Sequence, residues 1–222
     1  MTANVKKAIQ KIYNSDIFDE ELYFVGGTAL SFYLNHRISE DIDIVSSKTL
    51  NHKKIIPNIT SKGAKKLQDE NVTVLRMAGL FPDEYMIKFT LDSVKLEFFQ
   101  ANRAIQKDIL LQATFNYFEN SKLKILDLKS IAKLKLVALI MRDKSRDLFD
   151  FGSILENNIL NSNEIIELFN KVDNKINSIE DIINFIKSKK EPKDDEAVYL
   201  SETNRINLSF EEIKDRVVKL LN

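Results

Sequence analysis

Phe24-Val25-Gly26-Gly27-Thr28-Ala29-Leu30, followed closely by Arg37-Ile38-Ser39-Glu40-Asp41-Ile42-Asp43-Ile44, decides how the rest of the chain is read. Glu21 to Val25 is aromatic and β-branched and predicts a short strand running into the paired glycines. Without side chains, that turn bends sharply and lets a ligand approach the backbone. Thr28 is expected to cap a helix from Ala29 to about Leu34, whose unpaired first amides would face an anion such as a phosphate. In Asp41-Ile42-Asp43-Ile44 the strand period of two places both carboxylates on one face and both isoleucines toward the core. Two acids a pleat apart repel unless a cation lies between them, so the arrangement favours a divalent metal. Mg²⁺ suits it, because that ion accepts one or two carboxylates and completes its shell with water and phosphate oxygens.

Either piece by itself is weak evidence, since Gly-Gly is usually a plain turn and Asp-x-Asp is common. Joined in a strand, turn, helix, strand order, with Arg37, Ser39, Asp41 and Asp43 at alternate positions, they point to triphosphate chemistry. Further along, Tyr85 to Leu91 and Val94 to Phe99 predict a hairpin around Asp92-Ser93. Glu97 shares a face with Lys95 there and is the candidate third acid. The other reading is a solvated glutamate paired with a neighbouring lysine, and a slip of one residue in register would turn it away. Asp92, at the tip, serves the turn.

From Asp127 to Arg142 the chain is too apolar for a surface helix and predicts a packed one. Lys135, Arg142 and Arg146 fall seven and four residues apart, along one stripe of a continuous helix. Such a stripe either grips phosphates or forms ordinary ion pairs with Asp147 and Asp150.

These blocks, Gly26-Gly27-Thr28-Ala29-Leu30, then Arg37, Ser39, Asp41 and Asp43, then Lys135-x-x-Ala138-x-x-x-Arg142-x-x-x-Arg146-Asp147-x-x-Asp150, resemble the AbiEii/AbiGii family of bacterial nucleotidyltransferase toxins. That family lies within the polymerase-β-like nucleotidyltransferase superfamily, whose usual Gly-Ser turn stands here as Gly-Gly-Thr. The resemblance implies a nucleoside triphosphate substrate, two Mg²⁺ ions, and the toxic half of a toxin–antitoxin or phage-defence pair with a cognate antitoxin. For some members it implies nucleotide addition to the 3′ end of tRNA. It raises Lys135 and Asp147 above the other helical residues and, with Asp41 and Asp43, makes them the expected catalytic set. Asp41 and Asp43 are the expected metal ligands, and a superfamily site usually has a third acid on a neighbouring strand, for which Glu97 is the candidate by alternation. Gly26, Gly27, Thr28, Arg37, Ser39, Arg142 and Arg146 become the nucleotide-binding set.

The remaining sequence bounds this reading. The chain has 222 residues, 44% of them apolar, enough for one large or two small domains. Basic and acidic residues balance at 33 each, which argues against a generally basic nucleic-acid binder. Eight basic residues against Asp127 and Asp143 between Ser121 and Arg146 nevertheless give a local surface for an RNA backbone or a solvated lysine-rich helix face. There is no cysteine, so thiolate zinc and disulfides are excluded, and His36 and His52 are the two histidines, which speaks against a histidine metal centre. His36 is expected at the surface or as a helix cap. With no signal-like start and no long apolar run, a cytoplasmic protein without a membrane segment is expected.

Val5 to Asn14 predicts an amphipathic helix, Thr49 to about Glu70 a helix broken at Pro57, and Asn71 to Met77 a strand. After about Asn120 the pattern turns wholly helical, with helices at Ser145 to Glu156, Asn163 to Lys171, Ile179 to Lys187 and Phe210 to Leu221, and a mobile surface loop from Ser188 to Ala197. The expected architecture is α/β: a polymerase-β-like nucleotidyltransferase domain with a small mixed sheet (1–120), then a helical bundle domain (121–222). Two other function classes remain: the same transfer to a small molecule such as an aminoglycoside, and a non-catalytic nucleotide-binding partner module.

Overall fold

In the computed structural model, which describes residues 1–68, 75, 77–79, 81–193, 197–201, 204–205 and 208–222, the first apolar strand is β1 (Tyr23–Val25). It pairs antiparallel with β2 (Ile42–Ser46), Val25 opposite Asp43. The expected hairpin forms as β4 (Met86–Leu91) and β5 (Val94–Gln100), and Asp92 and Ser93 take the positive φ angles, 50° and 65°, of a tight two-residue turn. With β3 (Lys65–Lys66), β6 (Phe115–Tyr117) and β7 (Lys124–Leu126) these make one seven-stranded mixed sheet in the order β3-β4-β5-β2-β1-β7-β6. The pairs β2–β5 and β1–β7 are parallel.

The α/β class and the mixed sheet follow the sequence reading, but three local expectations do not. Helix α3 (His52–Ser61) runs through Pro57 and stops before β3, rather than breaking at the proline and continuing to about Glu70. Ile55 and Ile59, one on each side of Pro57, are fully buried. Burying two such side chains contributes about 3–6 kcal/mol, enough to offset the roughly 3 kcal/mol of an interior proline. The wholly helical pattern expected after about Asn120 starts later, after Asp127, because β7 lies beside β1 in the sheet, and it is interrupted by a short two-stranded ribbon at 199–201 and 204–205. Most of the strand expected at 71–77 falls outside the described residues; Leu75 and Met77 have helical backbone.

The chain divides into two compact units, Met1–Ala29 with Ser39–Asp127, and Leu30–Ile38 with Leu128–Asn222. The first holds the sheet, α1 (Ala3–Ile12), α3 and α4 (Ala104–Gln112). Helix α1 buries Val5, Ala8, Ile9 and Ile12, the spacing of one helical face. Helix α2 (Gly26–Leu34) contributes to both units. The second unit contains α5 (Leu128–Met141), α6 (Ser145–Glu156), α7 (Ser162–Val172), α8 (Ile179–Ser188) and α9 (Phe210–Leu221). Asn161 and Ser209 start α7 and α9 with capping boxes to Glu164 and Glu212. The ribbon β8 (Tyr199–Ser201) and β9 (Asn204–Arg205) completes this unit. The segment expected as a mobile surface loop after Ser188 opens with a buried residue, Lys189, whose ammonium donates to the Arg142 carbonyl at 3.0 Å and to Asp143 at 2.7 Å; residues 194–196 lie outside the described set. Among the described residues no helix is long and apolar enough to cross a membrane.

Candidate active site

At the end of β1 the backbone turns at Gly26 with φ +79° and enters α2 directly. A Cβ at Gly26 would stand 2.1 Å from Asp43 Oδ2 and 2.8 Å from its Cγ. The missing side chain is therefore the space that the Asp43 carboxylate fills, and the left-handed φ suits glycine as well. Ile42 and Ile44 are fully buried while Asp41 and Asp43 are half-buried. The two acids thus share the face predicted for them, and Asp43 lies against the turn.

Thr28 corrects one expectation. It is fully buried, and the helix has already begun at Gly26, so it does not cap the start of α2. Its hydroxyl donates to the Asp41 carbonyl, with Ser39 Oγ, also buried, 2.9 Å away. Thr28 and Ser39 therefore fix the backbone that carries Asp41.

On β5, Glu97 stands opposite Asp43 in the parallel ladder, so both side chains leave the same sheet face. The register needed for a third acid is met, and so is the other reading of Glu97. Its Oε1 lies 3.1 Å from Lys95 Nζ and 3.7 Å from Lys88 Nζ. Partial burial draws the Lys95 ammonium down, but Glu97, joined by Asp41 and Asp43, outweighs it and holds the lysine above its ordinary pKa. Among the described residues no group of three His, Cys, Asp or Glu side chains converges to hold a metal. What the face offers a hard cation is the Asp41 and Asp43 carboxylates with oxygens from a ligand, a combination Mg²⁺ accepts.

The helical unit holds the other predicted residues in a buried ionic network. Arg37 meets Asp150 bidentately at 2.6 and 2.9 Å and donates to the Ile38 carbonyl at 2.9 Å. Lys135 Nζ bridges Asp150 Oδ2 at 2.7 Å and Asp147 Oδ1 at 2.9 Å. Arg142 closes on Asp147 at 2.6 and 3.2 Å. Burial alone would raise both carboxyls; the Arg37 and Lys135 charges instead hold Asp150 well below the usual range, and Lys135 with Arg142 holds Asp147 below it. Burial likewise opposes the Lys135 charge, yet the two aspartates keep its pKa raised.

The continuous helical stripe is not what forms. Helix α5 ends at Met141 and α6 starts at Ser145, so Arg142 sits in the break and Arg146 on the next helix, its Nε donating to the Ala197 carbonyl at 3.4 Å. The reason is geometric: on a straight helix Lys135 and Asp147 would lie about 18 Å apart along the axis. Only a reversal of the chain brings them within 2.9 Å.

His36 is a further correction, and it is the residue that sequence reasoning missed. Its side chain is buried, stacks on Phe149 at 6.1 Å and bonds Asp150 Oδ1 through Nε2 at 2.7 Å. The basic stretch from 121 to 146 is also largely paired internally. Lys122 meets Asp16 and Asp19, Lys124 the Glu20 carbonyl, and Lys129 Glu164.

The family model described as nucleotidyl transferase AbiEii toxin, type IV TA system, matches residues 11–216. No curated protein matches the chain. Among solved structures, JHP933 from Helicobacter pylori is similar at a TM-score of 0.52 and 18% identity, over 98% of this chain and 89% of that one. MenT4, a nucleotidyltransferase toxin from Mycobacterium tuberculosis, is similar at a TM-score of 0.56 and 12% identity, over 98% and 79%.

Proposed function

The chain belongs to the AbiEii nucleotidyl transferase toxin family and is a nucleotidyltransferase of a type IV toxin–antitoxin system, and from that premise we propose how it works and on what. It moves a nucleoside monophosphate from a nucleoside triphosphate to a hydroxyl of RNA, at the 3′ end of tRNA, and a cognate antitoxin restrains it in the cytoplasm. The observation that carries this reading is the Asp43 carboxylate seated on the bare backbone of Gly26, with Asp41 on the same face and Glu97 across the ladder.

Asp41 and Asp43 are the residues that would hold Mg²⁺, two ions in all, and Glu97, on the same face, would join as third acid only by leaving its lysine partners. When bound, the metal supplies charge neutralisation for the triphosphate and acidifies the attacking hydroxyl. The chain does the remainder by placement. Gly26 and Gly27 give the polyphosphate an approach to main-chain amides at the start of α2. Thr28 and Ser39 hold the segment before β2, so that Asp41 is presented at a fixed depth. In the helical unit, Arg142, 58% exposed, is the cation of the network most open to a substrate phosphate, and Arg146 adds to its charge. Asp147 keeps Lys135 and Arg142 in place, and Arg37 serves through Asp150 rather than by touching nucleotide.

The test incubates purified protein with Mg²⁺, each labelled nucleoside triphosphate, and either total tRNA or a panel of hydroxylated small molecules. Label is expected on RNA with the wild type and to fall more than about a thousandfold in Asp43→Ala at unchanged circular dichroism. Label on small molecules alone would refute the RNA acceptor. Transfer retained by Asp43→Ala would refute the site itself.

A further inference from the structure

Lys95 is not accounted for by the transfer mechanism, although it shares the face that carries the acids. We propose that its ammonium is the built-in counter-cation of the carboxylate face: it gathers the acids when no metal is present and competes with the metal for them. The inference rests on the reading of Asp41 and Asp43 as metal ligands.

Four observations converge on it. Lys95 and Glu97 are alternate residues of β5 and so project from one face, with Nζ 3.1 Å from Oε1. Glu97 in turn lies beside Asp43 in register. Ile42 pairs with Leu96, so Asp41 and Lys95 each stand one residue before that pair on neighbouring parallel segments. Finally, Lys88 also reaches Glu97, but from 3.7 Å on the far neighbouring strand. Three carboxylates on one face with no cation among them would repel one another. A lysine tethered by a flexible four-carbon stem is suited to the task, because it neutralises them without a fixed coordination geometry and swings away when a denser charge arrives. The Lys95 side chain is 45% exposed, so it has solvent to swing into. The acid face would then be kept assembled but weakly receptive, and metal would bind only as the lysine yields.

The experiment is calorimetric titration of the full chain with MgCl₂ at low ionic strength, comparing wild type with Lys95→Met, Lys95→Arg and Lys88→Met, alongside thermal unfolding without and with Mg²⁺. Removing a unit charge at this range strengthens divalent binding by about tenfold. Lys95→Met is therefore expected to lower the Mg²⁺ Kd by that factor, to unfold at a lower temperature than wild type without metal, and to regain the difference when Mg²⁺ is added. Lys95→Arg should retain the wild-type Kd, and Lys88→Met should change it less than twofold. An unchanged Kd in Lys95→Met, or an equal gain in Lys88→Met, overturns the role of Lys95 and leaves the acid pair standing as a metal site. If no variant binds Mg²⁺, the reading of Asp41 and Asp43 fails as well, and this inference with it.

Discussion

Asp43 and Asp150 are the same residue type, each at the centre of one charged region, and their surroundings are opposite. Asp43 is half-buried on a sheet face, against a glycine backbone, with Asp41 and Glu97 as acidic neighbours on that face. Asp150 is fully buried and held by Arg37, Lys135 and His36. A carboxylate whose hydrogen-bonding capacity is filled by cations is a structural tie, because breaking any one pair strands a charge in low dielectric. A carboxylate set beside other carboxylates at a partly open surface, with a half-exposed lysine near them, still gains from a denser cation arriving from outside. The contrast teaches that motif membership does not by itself decide role. Both aspartates belong to the sequence blocks that resemble the family, and the packing around them differs: one is locked among cations inside the helical unit, the other stands among acids on a sheet face.

The largest effect expected from this contrast is on stability. Asp150→Ala should destabilise the fold by about 3–5 kcal/mol, measured by urea unfolding, since it leaves Arg37 and Lys135 buried without their shared partner. A loss below 1 kcal/mol would erase the distinction between the two regions. Gly26→Ala comes next. The left-handed φ and the contact with Asp43 predict a destabilisation of about 1–3 kcal/mol together with loss of nucleotide transfer, because the new methyl displaces the carboxylate. Wild-type transfer by that variant would show that Asp43 need not sit where it does.

Acid titration sharpens the comparison further. Asp147 and Asp150 have lowered pKa values in the fold, so their contribution is present above the ordinary carboxylate pKa and is lost as the pH falls through the folded values. Lys135, with a raised pKa, contributes below the ordinary lysine value and loses that contribution as the pH rises through its folded value. Stability measured by urea unfolding should be level between about pH 5 and pH 9 and decline below about pH 4. Asp150→Asn should flatten the acid limb. The smallest effect belongs to Arg142→Ala, about 1 kcal/mol or less by the same unfolding assay, because the side chain is 58% exposed and Lys135 still holds Asp147.

Much of the sheet unit was legible because its signals are local. The run into Gly26-Gly27, the alternation at Asp41 to Ile44 and the Asp92-Ser93 hairpin each need only a few adjacent residues, and each formed with shifted bounds: β1 starts at Tyr23, α2 already at Gly26 and β2 at Ile42. Glu97 was legible by alternation as well, down to its company with Lys95. What did not show depends on distant partners. β7 has three residues and no pattern of its own, and is a strand because β1 lies beside it. The break between α5 and α6 carries neither proline nor glycine, and Lys135 pairs across it with Asp147 and Asp150, contacts that a continuous helix would not allow. His36 reads as a surface residue until Asp150, 114 positions away, takes it inward. Thr28 looked like a cap because its residue type suits one; the carbonyl of Asp41 claimed the hydroxyl instead.

The parallel pairing of β2 with β5 has a consequence for the birth of the molecule. Strand β2 leaves the ribosome early, yet its neighbour Glu97 arrives only after α3, β3 and β4 have been made, and β1 gains its own parallel neighbour β7 later still. Such crossover pairings close late, once the intervening loop has been synthesised and its ends have met. A nascent or truncated chain ending before β5 therefore carries Asp41 and Asp43 without the parallel strand that pairs beside them.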